Sequence, residues 1–236
     1  MVTIRPKVFL LVGATLLLVG VSVKATVEVS LSPGCREFLY MGTAPLGLED
    51  HSLVMICQCY KNKPRYVTLY NTKDHIPVYS AYTFKHSDGE IKVDIPWMYE
   101  PQLSPTSNTG EMQQFPPGYM HKNFDEMQAV LEDYTNAVLY ERAQLNPDEH
   151  QAHPDDKAAT YTLTNVVPQV SEFHRGMWKQ QEQIIRQRLN KTYYAFNDKE
   201  KSQILEVPVP KLEEFLKASG FVNKNFKIFQ NDCMSF

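Results

Sequence analysis

Two strand-like runs separated by turn residues predict a β-hairpin in the first half of the chain. The run 66–70 reads Tyr-Val-Thr-Leu-Tyr, and β-branched and aromatic residues of this kind favour strands. Turn-forming residues follow at 71–75, and a second aromatic-rich run covers 77–84. The stretch 100–119 is loaded with Pro, Ser, Asn and Gly and predicts a long surface loop.

Further along the chain, the pattern predicts a short helix and another strand. Apolar side chains at helical spacing favour a helix over 123–134, and these are Met127, Val130 and Leu131. The run 160–165 reads Thr-Tyr-Thr-Leu-Thr-Asn and favours a strand, which we expect Pro168 to end.

A strongly signalled helix follows this strand. Ser171 is a good helix-capping residue, which predicts a helix that begins at Glu172. Apolar residues then recur at intervals of three and four, and they are Phe173, Met177, Trp178, Ile184, Ile185 and Leu189. We expect Phe173 and Trp178 to anchor this helix in the core rather than to stack on nucleic-acid bases. The local order is therefore strand, turn, helix.

The first 25 residues have the pattern of a secretory signal peptide. Arg5 and Lys7 precede an uncharged, mostly apolar run over 8–23, and the small residues Val23 and Ala25 suit cleavage after position 25. The pattern predicts a secreted mature chain, 26–236, without a membrane span. An uncleaved N-terminal anchor is the alternative.

Composition and charge place the mature chain among globular proteins. The 236 residues are 43% hydrophobic and 22% charged, which excludes disorder, and the length suits a single domain. The formal net charge is -3, and removal of 1–25 would leave 21 basic and 27 acidic side chains, a net charge of -6. Binding to a polyanion would therefore require a local basic patch.

The cysteine pattern agrees with secretion. An even number of cysteines in a secreted chain predicts two disulfides, with three possible connectivities among Cys35, Cys57, Cys59 and Cys233. The Cys57/Cys59 pair as half of a metal site is the weaker alternative, because no second pair with zinc-finger spacing accompanies it. Asn190, in Asn-Lys-Thr, is a candidate glycosylation site.

Two motifs in the second half resemble the DNA/RNA non-specific endonuclease family. The first, 140–147, reads Tyr-Glu-Arg-Ala-Gln-Leu-Asn-Pro, and the second, 159–169, leads into the helix that carries Trp178. The resemblance runs from about 35 to 189, and 207–236 resembles the family's C-terminal tail, with 209–216 resembling its terminal helix. It is closer still to the vertebrate endonuclease domain-containing 1 proteins, through runs at 35–40, 56–58 and 66–82.

This resemblance implies an α+β fold. Its expected features are a ββα-metal (His-Me) finger and a central mixed or antiparallel sheet. Compared with the family pattern, strands are missing between Leu189 and Val207, so we expect a form that is shortened after the metal helix. A splice form, a diverged paralogue and an imperfect gene prediction are the three open explanations.

The resemblance also assigns roles to the first motif. The family uses a histidine general base, an acidic residue and a phosphate-binding arginine, and these positions fall on Gln144, Glu141 and Arg142. A glutamine amide cannot hold a proton near neutral pH, so the general base is lost at Gln144. Arg142 is retained and is the candidate contact to DNA or RNA, and a structural salt bridge near Glu141 or with Asp133 is the alternative.

The second motif places the candidate metal ligands on the helix. The family's metal-binding asparagine falls on His174, and its downstream glutamate falls on Glu182. Eight residues, about two turns, separate them and put them on nearly the same face. The family metal is Mg²⁺, which prefers oxygen ligands, so we expect His174 to favour Mn²⁺ or Zn²⁺.

A polar stretch at 148–156 offers a second source of chemistry. It contains His150, His153 and four carboxylates, which could bind metal or replace the lost base. A solvated polar loop is the interpretation that we favour here.

Three functional classes follow from these observations. The first is a secreted, metal-dependent endonuclease whose activity is weak or lost because of Gln144. A second is a pseudonuclease that binds nucleic acid or a protein. A third is a secreted interaction protein without a nucleic-acid role, which the acidic charge favours.

Overall fold

The computed structural model describes residues 31–87, 90–104, 109–115, 126–135, 137–189 and 208–229. The predicted signal peptide, Asn190, Cys233 and the expected shortening between Leu189 and Val207 lie outside these residues. The described part is an α+β structure with antiparallel sheets. No helix of the described part is long and apolar enough to cross a membrane.

A three-stranded antiparallel sheet forms the centre of the described structure. Its order is β1 (Leu53–Tyr60), β2 (Lys63–Asn71) and β3 (Ile76–Ala81). The predicted hairpin is confirmed as β2 and β3, although β3 ends at Ala81 rather than at 84. β1 was not predicted as a strand.

The turn chemistry explains why β1 pairs with β2. Lys61 and Asn62, the two residues between the strands, have φ values of 53° and 58°. Two consecutive left-handed residues match the right-handed twist of the adjoining strands, and such turns connect short hairpins. The second turn is held by Asn71, whose Oδ1 accepts hydrogen bonds from the backbone N–H groups of Lys73 (2.9 Å) and Asp74 (3.0 Å).

The core of the domain lies on both faces of β2. Tyr66, Val67 and Tyr70 are fully buried, and they belong to three separate hydrophobic clusters. The two tyrosine hydroxyls are satisfied: that of Tyr66 donates to the Ala159 carbonyl at 3.1 Å, and that of Tyr70 accepts from the Ala129 N–H at 2.9 Å. Because β2 is covered on both sides, both alternating sets of positions over 66–70 are buried, and Thr68 is the one residue without an apolar or aromatic side chain among them.

The segment after the hairpin differs from its predictions. A short ladder joins β4 (Met98–Tyr99) to β5 (Gln113–Gln114), and a 3₁₀ turn covers Pro101–Leu103. Glu100 is fully buried, so the surface-loop prediction for 100–119 is wrong at its start. The helix predicted over 123–134 is also wrong in the described part, where only the 3₁₀ turn Leu131–Tyr134 is helical.

The second ladder and the following helix form the ββα unit. β6 (Tyr140–Gln144) pairs antiparallel with β7 (Val166–Val170). The helix that follows consists of α3 (Ser171–Phe173), a π-helical turn (His174–Trp178) and α4 (Lys179–Leu189), and we call it the finger helix, 171–189.

Three details of this unit correct the sequence predictions. The strand lies at 166–170 rather than at 160–165, where a 3₁₀ turn, Leu163–Asn165, occupies the chain. Pro168 does not end the strand but lies opposite Arg142 within it. Ser171 is the first helical residue and makes no capping hydrogen bond, and its hydroxyl donates instead to the Leu139 carbonyl at 3.4 Å.

A last helix, α5 (Val209–Ala218), begins the C-terminal segment 208–229, as its resemblance to the family's terminal helix predicts. This segment packs on the N-terminal part of the domain, where Leu46 and Lys227 exchange two backbone hydrogen bonds of 2.8 and 3.2 Å. Gly47 lies at this contact with φ at 78°, and an added Cβ there would come within 2.7 Å of the Phe226 backbone.

The structure pairs two of the four cysteines. Cys35, in the short helix α1 (Pro33–Arg36), forms a disulfide with Cys57 of β1. Cys59 has no disulfide partner among the described residues, and its sulfur lies 3.5 Å from that of Cys57. Burial, followed by the charges of Glu100 and Glu111, raises the pKa of Cys59 to about 11.

Candidate active site

β6 carries the three residues of the first motif. In an extended strand successive side chains point to opposite faces, so Glu141 lies on one side and Arg142 and Gln144 lie on the other. The register with β7 sets Glu141 opposite Gln169 and Gln144 opposite Val166. The residues of the first motif therefore lie on two different faces of β6.

Gln144 is held by hydrogen bonds at the end of the helix α2 (Pro154–Ala159). Its Nε2 donates to the carbonyl and to the hydroxyl of Thr160, at 3.0 and 2.9 Å. Its Oε1 accepts a longer bond, 3.4 Å, from the Asp148 N–H. The amide is thus fixed in place, and it offers no group that can take a proton from water.

Glu141 joins the strand to the finger helix. Its Oε2 accepts a hydrogen bond from His174 Nδ1 at 2.8 Å, and its Oε1 contacts the Arg175 guanidinium. Arg175, and then His174, lower the pKa of Glu141 to about 2, so the carboxylate is anionic across the physiological range. The sequence prediction placed these two side chains in one site, and the structure brings them into contact.

The π-helical turn alters the face that His174 presents. Gly176 has a φ of -91° and a ψ of -105°, outside helical values, in the turn that begins at His174. A π turn contains an additional residue, so the spacing of eight residues to Glu182 no longer gives the alignment of a regular α-helix.

Glu182 is buried and already partnered. Its side chain is 8% exposed, and Lys179 Nζ lies 3.5 Å from its Oε2. Burial raises the pKa of Glu182, and the charge of Lys179 counteracts part of this rise. Lys179 also forms an ion pair of 2.8 Å with Glu149.

The predicted metal ligands do not form a magnesium site. Among the described residues, the only group of three His, Cys, Asp or Glu side chains with ligand atoms within 4.8 Å of one another is Cys35, Cys57 and Cys59. His174 supplies a nitrogen where Mg²⁺ prefers oxygen, and because its Nδ1 donates to Glu141, Nε2 is the nitrogen left to bind a metal. The residues present therefore do not fit the family's hydrated magnesium ion.

Arg142 lies against two aromatic rings rather than in a salt bridge. Its guanidinium carbon is 4.9 Å from the centre of the Trp97 ring and 5.8 Å from that of Tyr134. In the described part of the chain no carboxylate is within ion-pair distance of it, and Asp133 accepts instead from the Val130 N–H. Burial lowers the pKa of Arg142. Sequence reasoning missed Trp97, which lies far from the motif along the chain.

His150 corrects the prediction of a solvated loop at 148–156. The residue is 1% exposed. Its Nε2 lies 2.9 Å from the Glu182 carbonyl, which can only accept, so Nε2 carries the proton and Nδ1 accepts from the Tyr82 hydroxyl at 2.8 Å. Burial lowers the pKa of His150. His153 instead caps α2 by accepting from the Asp155 N–H at 3.2 Å.

The two aromatic anchors of the finger helix pack against each other. The ring centres of Phe173 and Trp178 are 6.2 Å apart, and both side chains are half-buried. The indole nitrogen of Trp178 is buried and has no hydrogen-bond partner among the described residues. Among the described side chains of the finger helix, this N–H group is therefore the buried polar group that lacks a hydrogen bond.

Comparison with known proteins places this site in a family. The sequence profile described as DNA/RNA non-specific endonuclease matches residues 50–212. Endonuclease domain-containing 1 protein from Homo sapiens is 37% identical over 142 residues, which cover 59% of this chain and 27% of the human protein. The Mus musculus protein of the same name is 34% identical over 146 residues, covering 61% of this chain and 28% of its own.

The matched part thus spans about a quarter of these relatives. Among solved structures, a complex of EndoG with EndoGI is 20% identical, covers 69% of this chain and 57% of that chain, and gives a TM-score of 0.37. The profile match extends over more than half of the chain and includes both motifs, the ladder of β6 with β7 and the finger helix. The chain therefore belongs to the DNA/RNA non-specific endonuclease family.

Proposed function

We propose that this protein is a secreted member of the family in which phosphodiester hydrolysis is weak or lost. The observation that carries the proposal is the fixed amide of Gln144 at the general-base position, with its two hydrogen bonds to Thr160. Loss of a general base costs about 10²- to 10⁴-fold in rate. Secretion rests on the pattern of 1–25 alone.

The neighbouring histidines give further support, because His150 has both ring nitrogens engaged and His153 and His174 each have Nδ1 engaged. His150 uses both nitrogens in the core, and His153 uses Nδ1 to cap a helix. His174 binds Glu141 through Nδ1, which holds its ring against the strand. None of the three lies in hydrogen-bond contact with Gln144 among the described residues.

What the site retains is the capacity to bind phosphate. Arg142 is held between Trp97 and Tyr134, and aromatic contacts of this kind orient a guanidinium while leaving its N–H groups able to donate. Arg175 is 78% exposed at its side chain and lies beside the same strand. A phosphodiester could therefore be bound and positioned even where water is not activated.

The direct test is cleavage of plasmid DNA and single-stranded RNA by the purified protein in Mg²⁺, Mn²⁺ or Zn²⁺, with EDTA controls. We expect little cutting by the unmodified protein and a gain of about 10²-fold or more in Gln144→His. Gln144→Asn, which keeps an amide, is the matched control and should stay inactive. Robust, EDTA-sensitive cutting by the unmodified protein would refute the proposal.

A pseudonuclease that binds nucleic acid is the second candidate, and the aromatic setting of Arg142 favours it. Binding through phosphate contacts weakens steeply with salt, so a filter-binding titration at several salt concentrations tests it. If neither Gln144→His nor Gln144→Asn cleaves nucleic acid and the protein binds it in a salt-sensitive manner, this candidate is favoured. Absence of any binding would favour an interaction protein, in keeping with the acidic charge.

A further inference from the structure

A large apolar cavity lies far from the first motif in sequence, between three parts of the chain. Its volume is about 640 Å³, and it is enclosed by the segment 39–48, by β3 and by the segment 208–229. The described residues that line it include no charged side chain, and representative ones are Leu39, Val78, Ala81, Leu212, Leu216 and Phe226. The candidate active site uses none of these residues.

The size and lining of this cavity match those of a ligand site. Sites for small molecules occupy about 300–1,000 Å³ and are lined mainly by aliphatic and aromatic side chains. Several lining residues remain open to solvent, since Phe221 is 78% exposed, Val78 43% and Tyr40 40%. Filling the cavity with an apolar group would remove this surface from water, which is favourable in proportion to the area covered.

The charge of the segment 208–229, which forms one wall of the cavity, indicates which head group the ligand carries. The segment 208–229 carries Lys211, Lys217, Lys224 and Lys227 against Glu213 and Glu214. Lys227 is paired with Glu213 at 3.3 Å, whereas no ion pair is recorded for the other three lysines within the described residues. The segment that forms one wall of this uncharged cavity therefore carries more cations than anions, although the chain as a whole has a net charge of -3, and this favours a ligand with an anionic head and an apolar tail.

We propose that this cavity binds the hydrocarbon chain of a single-chain anionic amphiphile, such as a long-chain fatty acid, whose carboxylate lies among the lysines of 208–229. The cavity accounts for the tail, and the unpaired lysines account for the head. This site is independent of nucleic-acid chemistry, so it stands whether or not the protein cuts DNA.

The test is a titration of the full secreted chain with a fluorescent fatty acid, cis-parinaric acid, followed by displacement with palmitate. We expect saturable binding with one site per chain, and weaker displacement by the uncharged alcohol of the same length. Leu216→Gln, which puts an amide in the wall of the cavity, should weaken binding about tenfold.

Phe215→Gln is the matched control, because Phe215 neighbours Leu216 on α5 but is 65% exposed and outside the lining. Its affinity should equal that of the parent. Since Leu216→Gln could disturb folding, Val78→Trp provides a second variant, which narrows the cavity by adding apolar volume at its rim. Both are compared with the parent by thermal melting.

Three outcomes would overturn the proposal. They are absence of saturable uptake, equal losses in Phe215→Gln and Leu216→Gln, and a stable dimer that buries the cavity, detected by size-exclusion chromatography with light scattering. If the alcohol displaced the fluorescent fatty acid as well as palmitate does, the lysines would have no role in binding. That result would overturn the proposal that the head of the ligand is anionic.

Discussion

Glu100 is a carboxyl group that the fold keeps away from water. It follows β4 and is fully buried. Its Oε2 accepts a hydrogen bond of 2.8 Å from Gln102, while its Oε1 has no partner within the part of the chain that the structure describes. Burial raises the pKa of Glu100 to about 8 against the smaller, opposite effect of Gln102. At neutral pH the folded protein therefore holds a proton here that the unfolded chain releases.

This raised pKa sets a direction for the pH dependence of stability. The contribution of the protonated carboxyl is fully present below the unfolded pKa, near 4.5, and is lost as pH rises through the folded pKa, near 8. Glu100→Gln mimics the protonated form at every pH. We expect it to be more stable than the parent by on the order of 2–4 kcal/mol near pH 8, with the difference vanishing toward pH 5.

Thermal or denaturant melts across this range measure the effect. Glu37→Gln, at an exposed position of the same residue type, is the control and should follow the parent at every pH. If the curves of Glu100→Gln and the parent ran parallel, the carboxyl would have to be ionised in the folded state.

At the residue scale the sequence indicated which positions matter but not how they meet. The motif spacing predicted that Glu141 and His174 share a site, and the two side chains are in contact. It could not predict Trp97 beside Arg142, because that contact joins residues about 45 positions apart without local periodicity. His150 was misjudged for a related reason, since a histidine among acidic residues is typical of a surface.

Gly47 controls how the C-terminal segment attaches to the rest of the domain. Its positive φ and the close approach of the Phe226 backbone both require glycine. Gly47→Ala should therefore cost about 3 kcal/mol or more and increase proteolysis within 208–229, since the contact must open to admit a methyl group.

Gly220 allows the cost of a positive φ to be measured apart from the cost of a steric clash. Its φ is 75°, but no atom lies within 4 Å of an added Cβ. Gly220→Ala should cost only the backbone strain of about 1–2 kcal/mol, without new protease sensitivity beyond that loss. Equal effects of the two substitutions, measured by urea melts and limited proteolysis, would contradict a steric role for Phe226.

Elements with strong local signals were the ones that could be predicted. The hairpin of β2 and β3 follows from its composition and turn residues, and α5 follows from its likeness to the family's terminal helix. The predicted strand at 160–165 is a 3₁₀ turn because its polar side chains bond within the core, as Thr164 does with Gln58 at 2.9 Å. Because these interior contacts are polar, the segment has no hydrophobic periodicity from which its conformation could be predicted.

At the scale of the whole molecule, the predicted second disulfide would connect the two ends of the chain. With Cys35 bound to Cys57, two disulfides among four cysteines require that Cys59 pair with Cys233, which lies outside the described residues. We expect peptide mapping without reduction to recover this link. Cys233→Ser should cost about 4 kcal/mol, because the bond closes a very long loop.

A free thiol on Cys59, found by alkylation of the denatured, unreduced protein, would contradict this pairing. Glu37→Gln can again serve as the control, since it alters neither cysteine nor core. Comparison of the single variants Cys59→Ser and Cys233→Ser adds a check, because loss of the same bond should give the same decrease in stability.

The contact of Arg142 with Trp97 also determines what the tryptophan fluorescence of the protein measures. The chain contains two tryptophans, Trp97 against Arg142 and Trp178 within the finger helix, so indole emission arises only from the surroundings of the candidate active site. A guanidinium close to an indole ring alters its emission, and a phosphate that draws the guanidinium away would alter it again. The unlabelled protein is thus its own spectroscopic sensor of occupancy.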